Sequence, residues 1–183
     1  MLKFDKLKRL TTLDMEVVMM DSINPRQNLV VTNPHWGLFL GNRAMHECDI
    51  LYVTKSGYAT EIEIKISKAD LLKDKEKRHN HAHNHIARLY FAVPESLEEL
   101  ALQEIPERAG LYVVRQEEVR YRKNIYTDEE VHYFKTVLSC VREAKRNQRA
   151  EKWSITDKYQ LARLGTIRVW SLKKKLQKIK PTK

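Results

Sequence analysis

Residues 47–65 read Glu47-Cys-Asp49-Ile-Leu-Tyr-Val-Thr54-Lys55-Ser56-Gly57-Tyr58-Ala-Thr-Glu61-Ile-Glu63-Ile-Lys65. Two runs rich in β-branched and aromatic residues, Glu47–Thr54 and Ala59–Ser67, flank Lys55-Ser56-Gly57. That is the pattern of a hairpin with a three-residue loop and glycine at its left-handed position. Such a loop closes Thr54 against Tyr58. Asp49 then faces Glu63, Leu51 faces Glu61 and Glu47 faces Lys65. The other face pairs Cys48 with Ile64, Ile50 with Ile62 and Tyr52 with Thr60. A two-residue loop would put Asp49 against Ile64 and destroy the alternation.

One face of this hairpin is apolar and can pack on a helix. The other gathers Glu47, Asp49, Glu61, Glu63 and Lys65. Directly opposed carboxylates are destabilising, because their Cβ atoms lie only about 5 Å apart. A divalent cation would neutralise them, since carboxylate oxygens suit Mg²⁺ or Mn²⁺. An exposed ribbon with solvated charges and a Glu47–Lys65 cross-strand pair is the alternative.

Around the hairpin, the pattern predicts a short helix over Thr11–Asp21. Strand pieces follow at Asn28–Asn33 and Trp36–Leu40. Ser67-x-x-Asp70 resembles a capping box and opens a helix expected to run to about Ile86. Arg88–Val93 reads as a strand stopped by Pro94, Glu95–Gln103 as helix and Ala109–Val114 as strand. From Thr127 onward the reading is helical. Thr127-x-x-Glu130 has the form of a capping box, and Val131, Phe134, Leu138 and Val141 recur at helical spacing. Ser154-x-x-Asp157 opens another helix, which Gly165 is expected to end. Val169, Leu172, Leu176 and Ile179 form a last stripe beneath a lysine cluster. The expected division is an α/β core over 1–125 and a basic helical extension over 126–183.

The charge distribution agrees with that division. The chain of 183 residues carries a net charge of +10. Residues 1–140 hold 20 Lys and Arg against 21 Asp and Glu; residues 141–183 hold 14 against 3. The whole basic excess therefore sits at the C-terminal end, and a polyanion, nucleic acid above all, is the natural partner. Arg142, Lys145, Arg146, Arg149, Lys173, Lys174 and Lys175 are the candidate DNA contacts. A solvated basic face is the alternative. With 42% hydrophobic and 32% charged residues, the composition is that of a folded domain. No apolar run approaches the roughly 20 residues of a membrane span, and no apolar stretch follows the basic first ten residues. Two cysteines, Cys48 and Cys140, make no disulfide framework. A cytoplasmic protein without membrane contact is expected, and a homodimer is left open.

Asp49, the hairpin and Glu63-Ile64-Lys65 are similar to the PD-(D/E)XK nuclease signature. The longer run Glu63-Ile-Lys-Ile-Ser-Lys-Ala-Asp-Leu-Leu-Lys-Asp74 resembles the MmcB-like branch of DNA-repair endonucleases. Leu89-Tyr-Phe-Ala-Val-Pro94 and Gly110-Leu-Tyr-Val-Val114 match its following strands. The resemblance covers roughly residues 45–115. Cys48, not proline, precedes Asp49, and the basic C-terminus has no counterpart there.

The resemblance implies a restriction-endonuclease-like α/β fold, a mixed sheet flanked by helices. It also implies a Mg²⁺- or Mn²⁺-dependent DNA endonuclease acting in repair, recombination, restriction or a mobile element. Asp49 and Glu63 would ligate the metal, and Lys65 would position or activate water. Many members add a glutamate from the first helix, and Glu16 is the candidate here. Glu61 is either an extra ligand or a sheet-edge charge. Ser67 and Asp70 match the branch motif, although helix capping explains both. The alternative function is a non-catalytic DNA-binding protein that retains the fold; an RNA-directed enzyme or a subunit of a larger machine is a further rival. His79, His81, His83 and His85 suggest zinc, but only i, i+4 pairs share a helix face, so structural or DNA-backbone roles are expected. Trp153 and Trp170 are read as helix core rather than base-stacking platforms. Leu161-Ala-Arg-Leu-Gly165 has a weak helix-turn-helix character.

Overall fold

A computed structural model describes residues 2–36, 46–73, 84–124 and 127–179 of the chain. In chain order the elements are β1 (Lys3–Phe4), α1 (Thr12–Ile23), β2 (Leu29–Thr32), β3 (His35–Trp36), β4 (His46–Glu47), β5 (Ile50–Val53) and β6 (Ala59–Ile64). Then come α2 (Lys68–Lys73), β7 (Ile86–Pro94), a 3-10 turn (Glu95–Leu97), α3 (Glu98–Glu104), β8 (Gly110–Asn124), β9 (Thr127–Arg142) and α4 (Ile155–Ile179).

The central hairpin closes as its loop requires. Gly57 sits at φ 91°, where a side chain would be strained. Thr54 N donates to Tyr58 O at 3.1 Å. The ladder pairs Ile50 with Ile62, Leu51 with Glu61 and Tyr52 with Thr60, the expected register. Around it grows a seven-stranded mixed sheet in the order β1-β9-β8-β7-β6-β5-β2. β6, β7 and β8 run parallel; the other pairs are antiparallel. The fold is mixed α/β, with four α-helices among the described residues.

Helices cover both faces. On one, Met15, Val18 and Met19 of α1 pack with Ile50, Ile62 and Ile64. On the other, Trp153 and Leu161 pack with Val31, Leu51, Val53 and Ala59. Beside them, Leu71 and Ala101 meet Leu89, Phe91, Leu111 and Val113. α1 is held by a capping box at Thr11 and Asp14.

Several expectations are corrected. Residues 127–142 form strand β9, paired with β8 along its length, not a helix. Val131, Tyr133, Phe134, Thr136 and Val137 are β-branched or aromatic, and cross-strand pairing outweighs the coincidental helical spacing. Thr127 and Glu130 are strand residues, so no capping box forms there. The expected division at 125/126 falls between two strands of one sheet. Helical structure in the basic region begins only at Ile155, where Ser154 and Asp157 do cap the helix. That helix passes through Gly165 without ending, which removes the helix-turn-helix reading. Gly165 instead gives close approach: a Cβ there would lie 3.2 Å from Val31 Cγ2. The helix expected to reach Ile86 does not do so, since Asn84 and His85 form a turn and Ile86 starts β7. His79, His81, His83 and the Gly37–Leu40 part of the expected Trp36–Leu40 strand lie outside the described residues.

Candidate active site

The hairpin ladder ends at Ile50–Ile62, one residue short of the expected Asp49–Glu63 pair. There the chain bends. Asp49 Oδ2 instead accepts the Ile64 N–H at 2.6 Å. Glu63 and Lys65 share one face of the next strand, and Lys65 Nζ donates to Glu63 Oε2 at 2.9 Å. The main chain of Lys65 continues the parallel pairing, with its N–H on Ala92 O at 3.0 Å. The expected repulsion is thus answered from within the chain, by a backbone N–H for Asp49 and an ammonium for Glu63.

Burial overturns the open-ribbon alternative. Glu61, Glu63 and Lys65 are 0%, 2% and 4% exposed. β6 lies between β5 and β7, so Glu61 is not a sheet-edge charge; it sits opposite Leu51 and Leu89. Glu47 is not the ladder partner of Lys65; its cross-strand partner is His35. It is exposed on β4, which forms a separate two-stranded ribbon with β3. The bend at Cys48–Asp49 separates β4 from β5.

Glu16 reaches this region from the opposite face. Its Oε1 accepts from Asn33 Nδ2 at 2.8 Å, and the Asn33 N–H donates to Asp49 O at 2.6 Å. Asn33 was not among the expected site residues. It adopts the left-handed conformation, φ 47°, which asparagine tolerates better than most residues. The Asn33-Pro34 pair is the sequence signal that marks such a turn.

Asp49 and Glu63 offer hard oxygen ligands suited to Mg²⁺ or Mn²⁺. Among the described residues no group of three or more His, Cys, Asp or Glu forms a ready cage. Two carboxylates nonetheless fit Mg²⁺, which keeps several waters and takes one or two protein carboxylates. Ser67 Oγ accepts the Asp70 N–H at 3.2 Å, so the capping role of this motif pair is present.

The basic candidates divide into different roles. Arg142 is engaged by the main chain: its guanidinium donates to Ala109 O at 2.8 Å and Pro106 O at 3.0 Å. Lys145 pairs with Glu107, and Arg146 lies 4.3 Å from the Tyr58 ring centroid. Arg149, Lys173, Lys174 and Lys175 are exposed, the last three on the outer half of α4. Trp153 is core, 5% exposed, with Nε1 donating to His85 O at 2.7 Å. Trp170 is 60% exposed, contrary to the helix-core expectation, because α4 has run past the sheet by that point.

No family model matches this chain, and no curated protein matches it. One solved structure, described as a protein of unknown function from Silicibacter pomeroyi, is similar over 97% of both chains. The TM-score is 0.54 at 15% identity, a likeness of fold alone. Among the described residues no helix is long and apolar enough to cross a membrane.

Proposed function

We propose that this chain is a metal-dependent deoxyribonuclease of restriction-endonuclease-like fold that hydrolyses phosphodiester bonds in DNA. The observation that carries this reading is the contact between Asp49 Oδ2 and the Ile64 N–H. It holds one carboxylate against the strand segment that bears Glu63 and Lys65. Burying an ammonium and a carboxylate costs several kcal/mol per ion before pairing offsets it. Placing them beside a third charged group is therefore a poor way to build a core and a sensible way to build a site.

Asp49 and Glu63 would hold Mg²⁺ or Mn²⁺. Bound there, the ion would polarise the scissile phosphate and lower the pKa of its water. Lys65 would orient the attacking water and balance the carboxylates. Asn33 would fix the Asp49 main chain, and Glu16 would fix Asn33. Glu61 has no assigned part in the chemistry. Arg149 and the outer cations of α4 would hold the DNA backbone.

The burial of Glu63 and Lys65 favours a second reading, a DNA-binding protein that keeps the fold without cleaving. Incubation of supercoiled and linear DNA with millimolar Mg²⁺ or Mn²⁺ separates the two. The nuclease reading expects nicking or linearisation that chelator abolishes and that Asp49→Asn loses while still folded. Binding without cleavage under every metal condition would establish the second reading.

A further inference from the structure

One apolar seam of α4 runs out of the core into solvent. Leu161, Gly165, Val169, Leu172 and Leu176 follow one another at intervals of four, four, three and four residues, so they share a helix face. The first two lie against the sheet. Leu161 is buried in the cluster that holds Val31 and Leu51, and Gly165 backs onto Val31. Past them, Val169, Leu172 and Leu176 are 53%, 49% and 60% exposed.

The residues beside the seam all carry one sign. In heptad terms Val169 and Leu176 stand at a and Leu172 at d. Lys173 then borders the seam on one side, and Arg168 and Lys175 border it on the other, all three exposed. Residues 166–183 contain no Asp or Glu. Within the helix, Lys174 and Lys178 stand at i, i+4 and Lys175 and Lys178 at i, i+3, where like charges destabilise. A helical segment this short is marginal without a packed face.

Charge and shape select the occupant. A second copy of α4 would set cation against cation, whether the two helices ran parallel or antiparallel. A flat bilayer cannot reach the seam, because the sheet stands on that same side of the helix. A single helix fits the corner between α4 and the domain, and acidic flanks would neutralise the bordering cations. We propose that the outer half of α4 docks an acidic amphipathic helix of another protein, apolar residues on Val169, Leu172 and Leu176 and carboxylates beside Arg168, Lys173 and Lys175. The inference does not rest on the nuclease reading. Lys173 and Lys175 are also candidate DNA contacts, so such a partner would compete with DNA for them.

The test uses the full chain without DNA. The probe is a labelled synthetic peptide about three heptads long, with Leu at a and d and Glu at e and g. A shuffled peptide of the same composition has no seam, and a third peptide carries Lys at e and g. Binding is read by fluorescence anisotropy. The ordered acidic peptide should bind at least about tenfold tighter than the shuffled one, and Leu172→Ser/Leu176→Ser should remove that advantage. Lys173→Glu/Lys175→Glu should turn the preference from the acidic to the basic peptide. All four positions are exposed, so these variants leave the core intact. Equal binding of ordered and shuffled peptides, or no binding of either, would overturn the proposal. So would self-association of the chain that Leu172→Ser/Leu176→Ser abolishes, which gives the seam to a second copy. Binding to phosphatidylserine vesicles that the same variant abolishes, without preference for the ordered peptide, would give it to lipid and equally overturn the proposal.

Discussion

Lys65 Nζ and Glu63 Oε2 are 2.9 Å apart, from positions two residues apart on the same chain segment, with 5% and 3% of their side chains exposed. The pair changes what substitution should do. On an open ribbon, Lys65→Ala would spare the fold. In a buried pair, removing one partner takes from the other charge its counter-ion at 2.9 Å.

Lys65→Ala should therefore lower stability by about 3–5 kcal/mol, and Glu63→Ala similarly. The double variant Glu63→Gln/Lys65→Met should recover much of that loss, because neither position is left charged opposite a missing counter-ion. Urea unfolding of all four proteins measures this. A double variant less stable than both single variants would show that the pair contributes more than its charges.

Gly110 lies where a Cβ would come within 2.3 Å of the Tyr90 ring and 2.7 Å of Ala144 N. Gly110→Ala should cost about 1–3 kcal/mol by overpacking. Thermal unfolding checks it; a melting temperature within error of wild type would mean that the β7–β8 contact relaxes freely.

Deleting residues 142–183 would remove the whole basic excess, but it would also remove Ala144, Trp153 and Leu161 from the core. Truncation after Gly165 is the informative cut. Residues 166–183 carry seven Lys and Arg and no acid, and those from 166 to 178 are exposed. The shortened chain should keep its cooperative unfolding. Its DNA affinity should fall for every sequence, with the log–log salt slope flattening by about 0.9 for each lost contact to a duplex phosphate. An unchanged slope would place the DNA contacts elsewhere.

Two groups contribute to stability at opposite ends of the pH range. Burial pushes the Asp14 carboxyl up, but hydrogen bonds from the Thr11 main chain and hydroxyl and from Lys8 outweigh it and hold it below the ordinary 3.8. Its stabilisation is complete above that value and is lost as pH falls through the lower folded one. Burial, and a hydrogen bond to Glu143, push Tyr90 up to about 12 from 10.0. Its contribution is complete below pH 10 and is lost between 10 and about 12. Melting curves across pH should show a shallower alkaline decline in Tyr90→Phe and a shallower acid decline in Asp14→Asn. Parallel curves for wild type and variants would rule these groups out as the source.

The central hairpin was legible because its information is local. Gly57 fixes the loop, the loop fixes the register, and alternation admits no other pairing. Where Asp49 points was not legible, since it depends on the ladder ending one residue early and on Asn33 from a distant turn. Nor was the burial of Glu61, because alternation identifies two faces but not what covers them. β9 was misread because Val131, Phe134, Leu138 and Val141 satisfy a helical stripe by chance. Its density of β-branched and aromatic residues was the contrary signal. Gly165 was misread as a stop because a glycine needed for close packing looks the same in sequence as one that ends a helix.

Strand β1 occupies the edge of the sheet beside β9, with Lys3 opposite Lys135 and Phe4 opposite Phe134. Leu2 and Thr136, 134 residues apart, are joined by their own hydrogen bonds. The first strand therefore waits for the last of the described strands before it can pair. During synthesis, residues 2–4 must remain unzipped while every other strand of the sheet emerges. Closing so distant a contact imposes a large loop-entropy cost before any pairing energy is returned, which slows folding. Docking of the amino terminus is thus a late event, and a chain halted before residue 127, where β9 begins, would leave β8 as an uncovered edge able to recruit a neighbouring chain.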